Sequence, residues 1–388
     1  MNWQKRIIKR FYYSSNTIGY DTSIFSMIGM GVGCFAMIIA LSVMNGFENQ
    51  VYERLKGFEG DLNVLDTVSV DYFSNIQGIE LSMPYIERKG VIKTYETNLI
   101  VMMKAVDEKI MQEFYDIPIK GETLKAGQVI IGQGLANRLG KNLMDEITLF
   151  SPIDQVYGLG FPPMKKMKIS GIFSTKILNY DDSFVFLTLN DGKNLFKRKS
   201  TYDGFDIKIS DDTTIEIVKS KLFDMAGYDV NIKSWKEKNK SLINAMRMER
   251  LGAIAILGLI FLVASFNLSS NLILLSIRKM KEVGIMRVIG AKKNQIMSIM
   301  IHLGIKKAIR GSVVGMVIAL LIVFIQNTFL FIPLPSKIYF IDFLPMKLKI
   351  TDLLLVFIMV STFIFLSSYF AAKKIAGLKL TEALQWMK

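Results

Sequence analysis

Four stretches of the chain carry no charge: Ile24–Met44, Leu251–Ile277, Gly311–Ser336 and Leu353–Ala372. A helix needs roughly 20 mostly apolar residues to cross ~30 Å of hydrocarbon, so each stretch predicts a transmembrane helix, bounded at 22–46, 251–277, 311–336 and 353–372. Beyond the first span, "NGFENQVYERLKGF" repeats apolar residues at Phe47, Val51, Leu55 and Phe58. That is one face of a helix, so a helical stalk is expected over 47–60. Before the second span, Trp235, Leu242, Met246 and Glu249 extend the same pattern over 235–250. A helix unbroken from about Lys236 to Ile277 would be roughly 60 Å long at 1.5 Å per residue.

Between the stalks, 61–234 reads as a mixed α/β domain. "NLIVMMKAV", "DEITLF", "MKISGIF", "SFVFLTL" and "FDIKI" are short, rich in β-branched and aromatic residues, and bounded by Gly, Asp or Pro, which is the pattern of strands. "IIGQGLANRLG" reads as a strand end leading into a helix, and "TTIEIVKSKLFDMAG" as a helix ending at Gly227. The expected fold class is therefore an α-helical membrane protein with four spans and a large α/β domain inserted between helices 1 and 2. Ser151–Lys166 reads as a long irregular loop presenting Phe161, Pro162, Pro163 and Met164, the kind of segment that carries binding residues.

Charge sharpens the topology. The formal net charge is +14, yet residues 46–250 hold 28 Lys and Arg against 29 Asp and Glu. The excess lies in the segments 1–21, 278–310 and 373–388, the last of which follows the fourth span. This is the positive-inside pattern, and it predicts cytoplasmic termini, a cytoplasmic 278–310 loop, and an outer 337–352 loop. Anionic lipid accounts for this basicity better than nucleic acid. Lys5, Arg6, Lys9 and Arg10 precede the first span, but its apolar run exceeds the about 7–15 residues of a signal-peptide core. The reading is a retained helix.

The chemistry of an enzyme is missing from the sequence. Gly140-Lys141 and Gly192-Lys193 are each followed by Asn, so no phosphate-binding P-loop is present. His302 is the single histidine and Cys34 the single cysteine; no zinc site of the usual ligands or Cys/His pair is expected. Asp181-Asp182 and Asp211-Asp212 sit where turns and caps are the default. Within the first span Gly29, Gly33, Ala36 and Ala40 form a small-residue face, and Asn267 and Asn271 lie one turn apart in the second. Both patterns suit helix packing, with a lipid or substrate path as the sharper reading.

"KMKEVGIMRVIGAKKNQIMSIM" (Lys279–Met300) is a charged connector that also carries Val283, Ile285, Met286, Val288 and Ile289. On a helical wheel Ile285 and Ile289 fall roughly opposite Met280, so a helix merely lying on a membrane does not explain it. Gly290 supplies a break before the next basic run.

Taken with "SFNLSSNLILLSIRKMKEVGIMRVIGAKKNQIMSIM", "IYFIDFLP", "LKLTEALQ" and the first-span region, this stretch resembles the FtsX-like permease domain of ABC transporters, in its lipoprotein-releasing branch. The resemblance implies a membrane subunit paired with a second homologous permease, or with itself as a homodimer. Two copies of a separate ATPase, which would hold ATP and Mg, are implied too, with no cofactor on this chain. Glu282, Val283, Gly284, Ile285, Arg287, Ile289, Gly290 and Ala291 would form the helix inserted in the ATPase. Phe161–Met164 would dock a periplasmic carrier that receives lipoprotein from the bacterial inner membrane, driven by transmitted motion. An efflux or peptide-exporting permease, a cell-division permease, or a receptor with an outer sensor domain are the alternatives. Lys306, Lys307 and Arg310 depart from the resemblance, standing where such permeases usually run apolar.

Overall fold

A computed structural model describes residues 20–65, 76–94, 97–152, 163–196, 202–226, 231–335 and 341–376. They form two compact units. One takes the described residues up to Glu48, Ala245–Leu334 and those from Asp342 onward; the other takes Asn49–Asn244 with Pro335 and Ile341.

The first unit is helical. Its main elements are α1 (Tyr20–Glu59), α8 (Lys240–Arg278), α9 (Met280–Val288), α10 (Lys293–Phe329) and α11 (Ile350–Ala376), of which α1, α8, α10 and α11 are long and apolar enough to cross a membrane. Met30, Cys34, Met37, Ile38 and Leu41 of α1 pack with Phe261, Ala264, Leu268 and Leu272 of α8. Ala308 and Ala319 of α10 and Val356, Val360 and Ile364 of α11 complete that core. The opposite side of α8 leaves Ile256, Leu259, Val263 and Phe266 exposed, as a lipid-facing side does, because hydrocarbon is as apolar as the core. Two boundaries differ from the sequence expectation. The third helix begins at Lys293 and ends at Phe329, so Lys293–Arg310 is helix and not connecting loop: its charges are spaced widely enough for apolar residues between them to pack. The helix closes at Leu330, in the left-handed region at φ 49°, before the "FIPLP" run. The second expected helix breaks at Asn239, between α7 (Trp235–Lys238) and α8, and then runs to Arg278 without interruption.

Among the described residues, ten strands fall in the chain between α1 and α8. They are β1 (Leu62–Leu65), β2 (Ile79–Lys93), β3 (Asn98–Val106), β4 (Ile119–Gly121), β5 (Gln128–Gly132), β6 (Glu146–Phe150), β7 (Met164–Phe173), β8 (Phe184–Thr188), β9 (Gly204–Ile209) and β10 (Asn231–Ser234). One mixed sheet results, in the order β10-β1-β9-β2-β3-β8-β5-β7-β4, with β6 bridging β2 and β7. Among the described strands, β3/β8 and β5/β7 pair in parallel and the other pairs are antiparallel. The short helices are α2 (Met111–Phe114), α3 (Gln133–Leu139), α4 (Leu178–Asp181), α5 (Leu189–Phe196) and α6 (Ile215–Ala226).

The domain has three apolar clusters. One lies beneath β2, β3 and β5–β8, one beneath β1, β9 and α6, and one surrounds Phe58 near the end of α1. Phe58 and Leu55 are each 1% exposed, and the Phe58 ring lies 4.3 Å from Tyr180 and 5.1 Å from Phe184. The stalk face is thus the domain's own core. Asp181 holds the turn before α4, accepting from the Thr175 backbone and hydroxyl at 2.7 Å each.

A charge lies fully inside this domain. Lys104 Nζ meets Asp206 Oδ2 at 2.5 Å, with side chains 2% and 0% exposed. Asn63 donates to Asp206 Oδ1 at 2.6 Å, the Tyr115 hydroxyl to Oδ2 at 3.3 Å, and the ammonium lies 4.6 Å from the Tyr85 ring centre. Asp206 holds the Lys104 ammonium protonated against the desolvation that opposes it. Removing one member of such a pair strands the other. Lys104→Met should therefore cost about 3–5 kcal/mol, and adding Asp206→Leu should recover part of it. Thermal unfolding of both variants by tryptophan fluorescence checks this; equal loss in single and double variants contradicts it.

Candidate coupling and helix-packing sites

α9 is built to be held on one side only. Met280 and Val283 are 9% and 6% exposed; Val283 joins Ile296, Met300 and Ala372 in a small core, with Met286 and Ala291 packed against it. The other side leaves Ile285 at 52%, Val288 at 67% and Ile289 at 80% exposed. A Schellman cap ends the helix: Ala291 N donates to Met286 O at 2.9 Å and Gly290 N to Arg287 O at 3.1 Å. Gly290 adopts φ +102°, a conformation that glycine takes without a Cβ penalty. At the other end Lys279 Nζ pairs with Glu282 at 2.9 Å; burial alone would raise the Glu282 carboxyl, but that hydrogen bond and the backbone N–H lower it below its usual range.

The membrane glycines divide in two. Gly29 faces Ala264, and a Cβ on Gly33 would lie 3.3 Å from Phe261. Ala36 and Ala40 are half-buried on α1. The tightest crossing, however, is made by Gly31. A Cβ on Gly311 would lie 2.1 Å from Met27 O, and one on Gly315 2.1 Å from Gly31 O. Gly29 and Gly33 of the expected small-residue face therefore sit against α8, while Gly31 and the G-x-x-x-G of α10 bring two backbones together. Beside that crossing lies an apolar groove of about 410 Å³ lined by Ile28, Val32, Phe35, Val314 and Ile318.

Asn271 Nδ2 donates to Asn267 Oδ1 at 2.9 Å along α8, and Asn267 is exposed. Serines do the bridging: Ser269 and Ser367 hydroxyls are 2.9 Å apart, and Ser367 Oγ donates to Ser265 O at 2.7 Å. Their short side chains fit a close crossing that an Asn would prop open.

The sequence reading missed a polar node in the helical unit. Arg250 pairs with Asp352 and lies 3.8 Å from Glu48, which Lys349 meets at 3.3 Å. Asn45 bonds Asp352 and donates to Lys347 O at 3.2 Å. Glu48 and Asp352 are 8% and 6% exposed. The only signal in the sequence was that charges resume abruptly at the ends of three spans.

Of the expected binding loop, Phe161 and Pro162 lie outside the described residues. Pro163 is half-buried and irregular. Met164 opens β7 opposite Phe150 and is 48% exposed, so Met164–Lys166 belong to a strand and not to the loop. His302 is exposed, its Nδ1 2.7 Å from Ser298 O. No cluster able to hold a metal occurs among the described residues.

Residues 23–223 match the MacB-like periplasmic core domain, and residues 254–380 match the FtsX-like permease C-terminal domain. The chain belongs to this family of permeases. It is 25% identical to the lipoprotein-releasing system transmembrane protein LolC of Neisseria meningitidis serogroup B, over 93% of each chain. It is 28% identical to the protein of that name from Buchnera aphidicola subsp. Schizaphis graminum, over 89% of this chain and 88% of the other. It is 23% identical to the lipoprotein-releasing system transmembrane protein LolE of Haemophilus influenzae, over 93% of each.

The glycine crossing yields a direct expectation. Gly311→Ala forces α1 and α10 apart and should cost about 1–3 kcal/mol, the range for overpacking. Gly258→Ala, whose Cβ would meet only Met359 Cε at 3.5 Å, should be tolerated. Thermal stability of the detergent-solubilised permease separates the two; an unaffected Gly311→Ala contradicts the contact.

Proposed function

We propose that this chain is the permease subunit of an ATP-driven system that releases lipoproteins from the bacterial inner membrane. Lipoprotein-releasing relatives of both the LolC and the LolE kind, matched over almost the whole chain, support the cargo class. The observation that carries the mechanism is the divided surface of α9. Its inner side is anchored in the bundle, and its outer side offers Ile285, Val288 and Ile289 to a partner. An ATPase groove filled by these residues moves α9, and with it α8 and α10, which adjoin it in the chain through Lys279 and the Gly290 turn.

ATP and Mg stay on that separate ATPase, of which two copies serve two permeases. The second permease, either a homologue or another copy of this chain, packs on the side of α8 that exposes Asn267. The groove beside Gly31 and Gly315 takes an acyl chain. The outer sheet domain, with Phe161–Met164, hands the cargo to a soluble carrier. The basic flanks keep both termini cytoplasmic.

Ile285→Asp with Ile289→Asp tests the reading. Both side chains are exposed, so insertion and folding should survive. Two carboxylates pressed into an apolar groove cost about 3–5 kcal/mol each when unpaired, enough to abolish co-purification of the ATPase. Val283→Asp should instead damage the bundle itself. Normal ATPase recovery with the double variant, or none with the unmodified chain, rejects the proposal.

A further inference from the structure

Two connectors enter the sheet domain on neighbouring strands. α1 ends at Glu59, Gly60 turns at φ +74°, and the chain passes into β1. β10 passes into α7 and α8, and β1 and β10 are antiparallel neighbours with Leu62 opposite Ser234. A capping box between Ser234 and Glu237 seats α7, Trp235 N donates to Asp61 O at 3.2 Å, and the Trp235 ring lies 5.2 Å from Tyr52 of α1.

Glu59 joins these connectors. It is 3% exposed, and its carboxylate accepts from Asn239 Nδ2 at 2.7 Å, from the Tyr180 hydroxyl, and pairs with Lys238 Nζ at 3.3 Å. Asn239 is the single residue between α7 and α8; its side chain also donates to Trp235 O at 3.0 Å. The break in the second connector is thus pinned to the last residue of the first. Beyond it, no residue of Lys240–Glu249 is buried, so Asn239 and Lys238 are where the sheet domain grips that connector.

We propose that Glu59 is a coupling strut, a positioning residue that makes the ends of α1 and α8 move together. With the strut, a displacement arriving along α8 passes at once to α1, β1 and β10. Without it, Asn239 becomes a free hinge and absorbs the motion. The inference rests on the transport reading for its consequence, though the strut can be read without cargo.

The test uses the full chain, assembled with its ATPase in vesicles. Glu59→Ala should leave ATPase recovery and ATP hydrolysis unchanged. The yield of triacylated lipoprotein passed to soluble carrier per ATP should fall about tenfold, the effect of one lost charged hydrogen bond. Bridging Glu59→Cys to Asn239→Cys with a short bismaleimide, in a Cys34→Ala background, should restore it. Unchanged yield in Glu59→Ala, or no recovery on bridging, overturns the strut. Should Glu59→Ala impair assembly, Asn239→Ala decides, because it leaves Glu59 its other two partners; unchanged yield there also overturns it. Spin labels at the exposed Glu53 and Lys240 give the readout without cargo. Their separation should hold through the ATP cycle in the native connectors and broaden in Glu59→Ala. Broadening in the native chain sinks the strut, whereas a sharp native distance with no lipoprotein release sinks the transport reading alone.

Discussion

One uninterrupted helix, α1, supplies core residues to both units, and the rest of the structure depends on its being continuous. Forty residues of unbroken backbone hydrogen bonding satisfy the main chain in hydrocarbon, where no water can, and again where the helix enters the sheet domain. Met30 to Leu41 fill the centre of the helical unit. Phe58, further along, is the ring around which Tyr115, Phe173, Tyr180, Phe184 and Phe186 gather. Within each unit a helix used as core cannot slide or rotate without disturbing its packing, because close-packed interiors do not deform continuously.

Much of this was legible in the sequence because its causes are local. Uncharged runs of about span length mark the four helices, and short runs rich in β-branched and aromatic residues mark β3, β6, β7, β8 and β9. The 3–4 spacing that ends at Leu55 and Phe58 marks the stalk. β2 was not legible. "IELSMPYIERKGVIK" holds a proline, a glycine and five charges, each of which lowers the strand signal, yet it is the longest strand and pairs with β3, β6 and β9. Pairing on both sides, a tertiary fact, overrides its local preferences. The third helix begins ahead of its charge-free run for a related reason. Lys306 and Arg310 interrupt the charge-free run, but both are exposed while Leu303 and Ala308 are buried. The helix needs only one apolar side there.

The polar contacts were the least legible part, since they join residues that the sequence separates by about a hundred positions or more. Lys104 with Asp206, Glu48 and Arg250 with Asp352, and Glu59 with Asn239 have no pattern within any single segment. Nor does the choice of Gly31 over Gly29 or Gly33 for the closest approach. Gly29 and Gly33 share the small-residue face visible in the sequence, whereas Gly31 lies off it, and only the facing G-x-x-x-G of α10 marks it for a close crossing.

Placement suggests what these polar groups are for. Buried ion pairs add little net stability, because desolvation consumes most of the Coulomb gain, but breaking one partner away is costly. They therefore penalise displacement more than they reward assembly. Two of the three clusters tie α1 to the segment around the start of α8: Glu48 to Arg250 in the helical unit, and Glu59 to Asn239 in the sheet unit. Apolar packing in the same places already resists displacement. Charged hydrogen bonds, being directional, add a penalty that depends on orientation as well as distance. That penalty therefore sits where α1 and the segment before α8 enter and leave a packed unit.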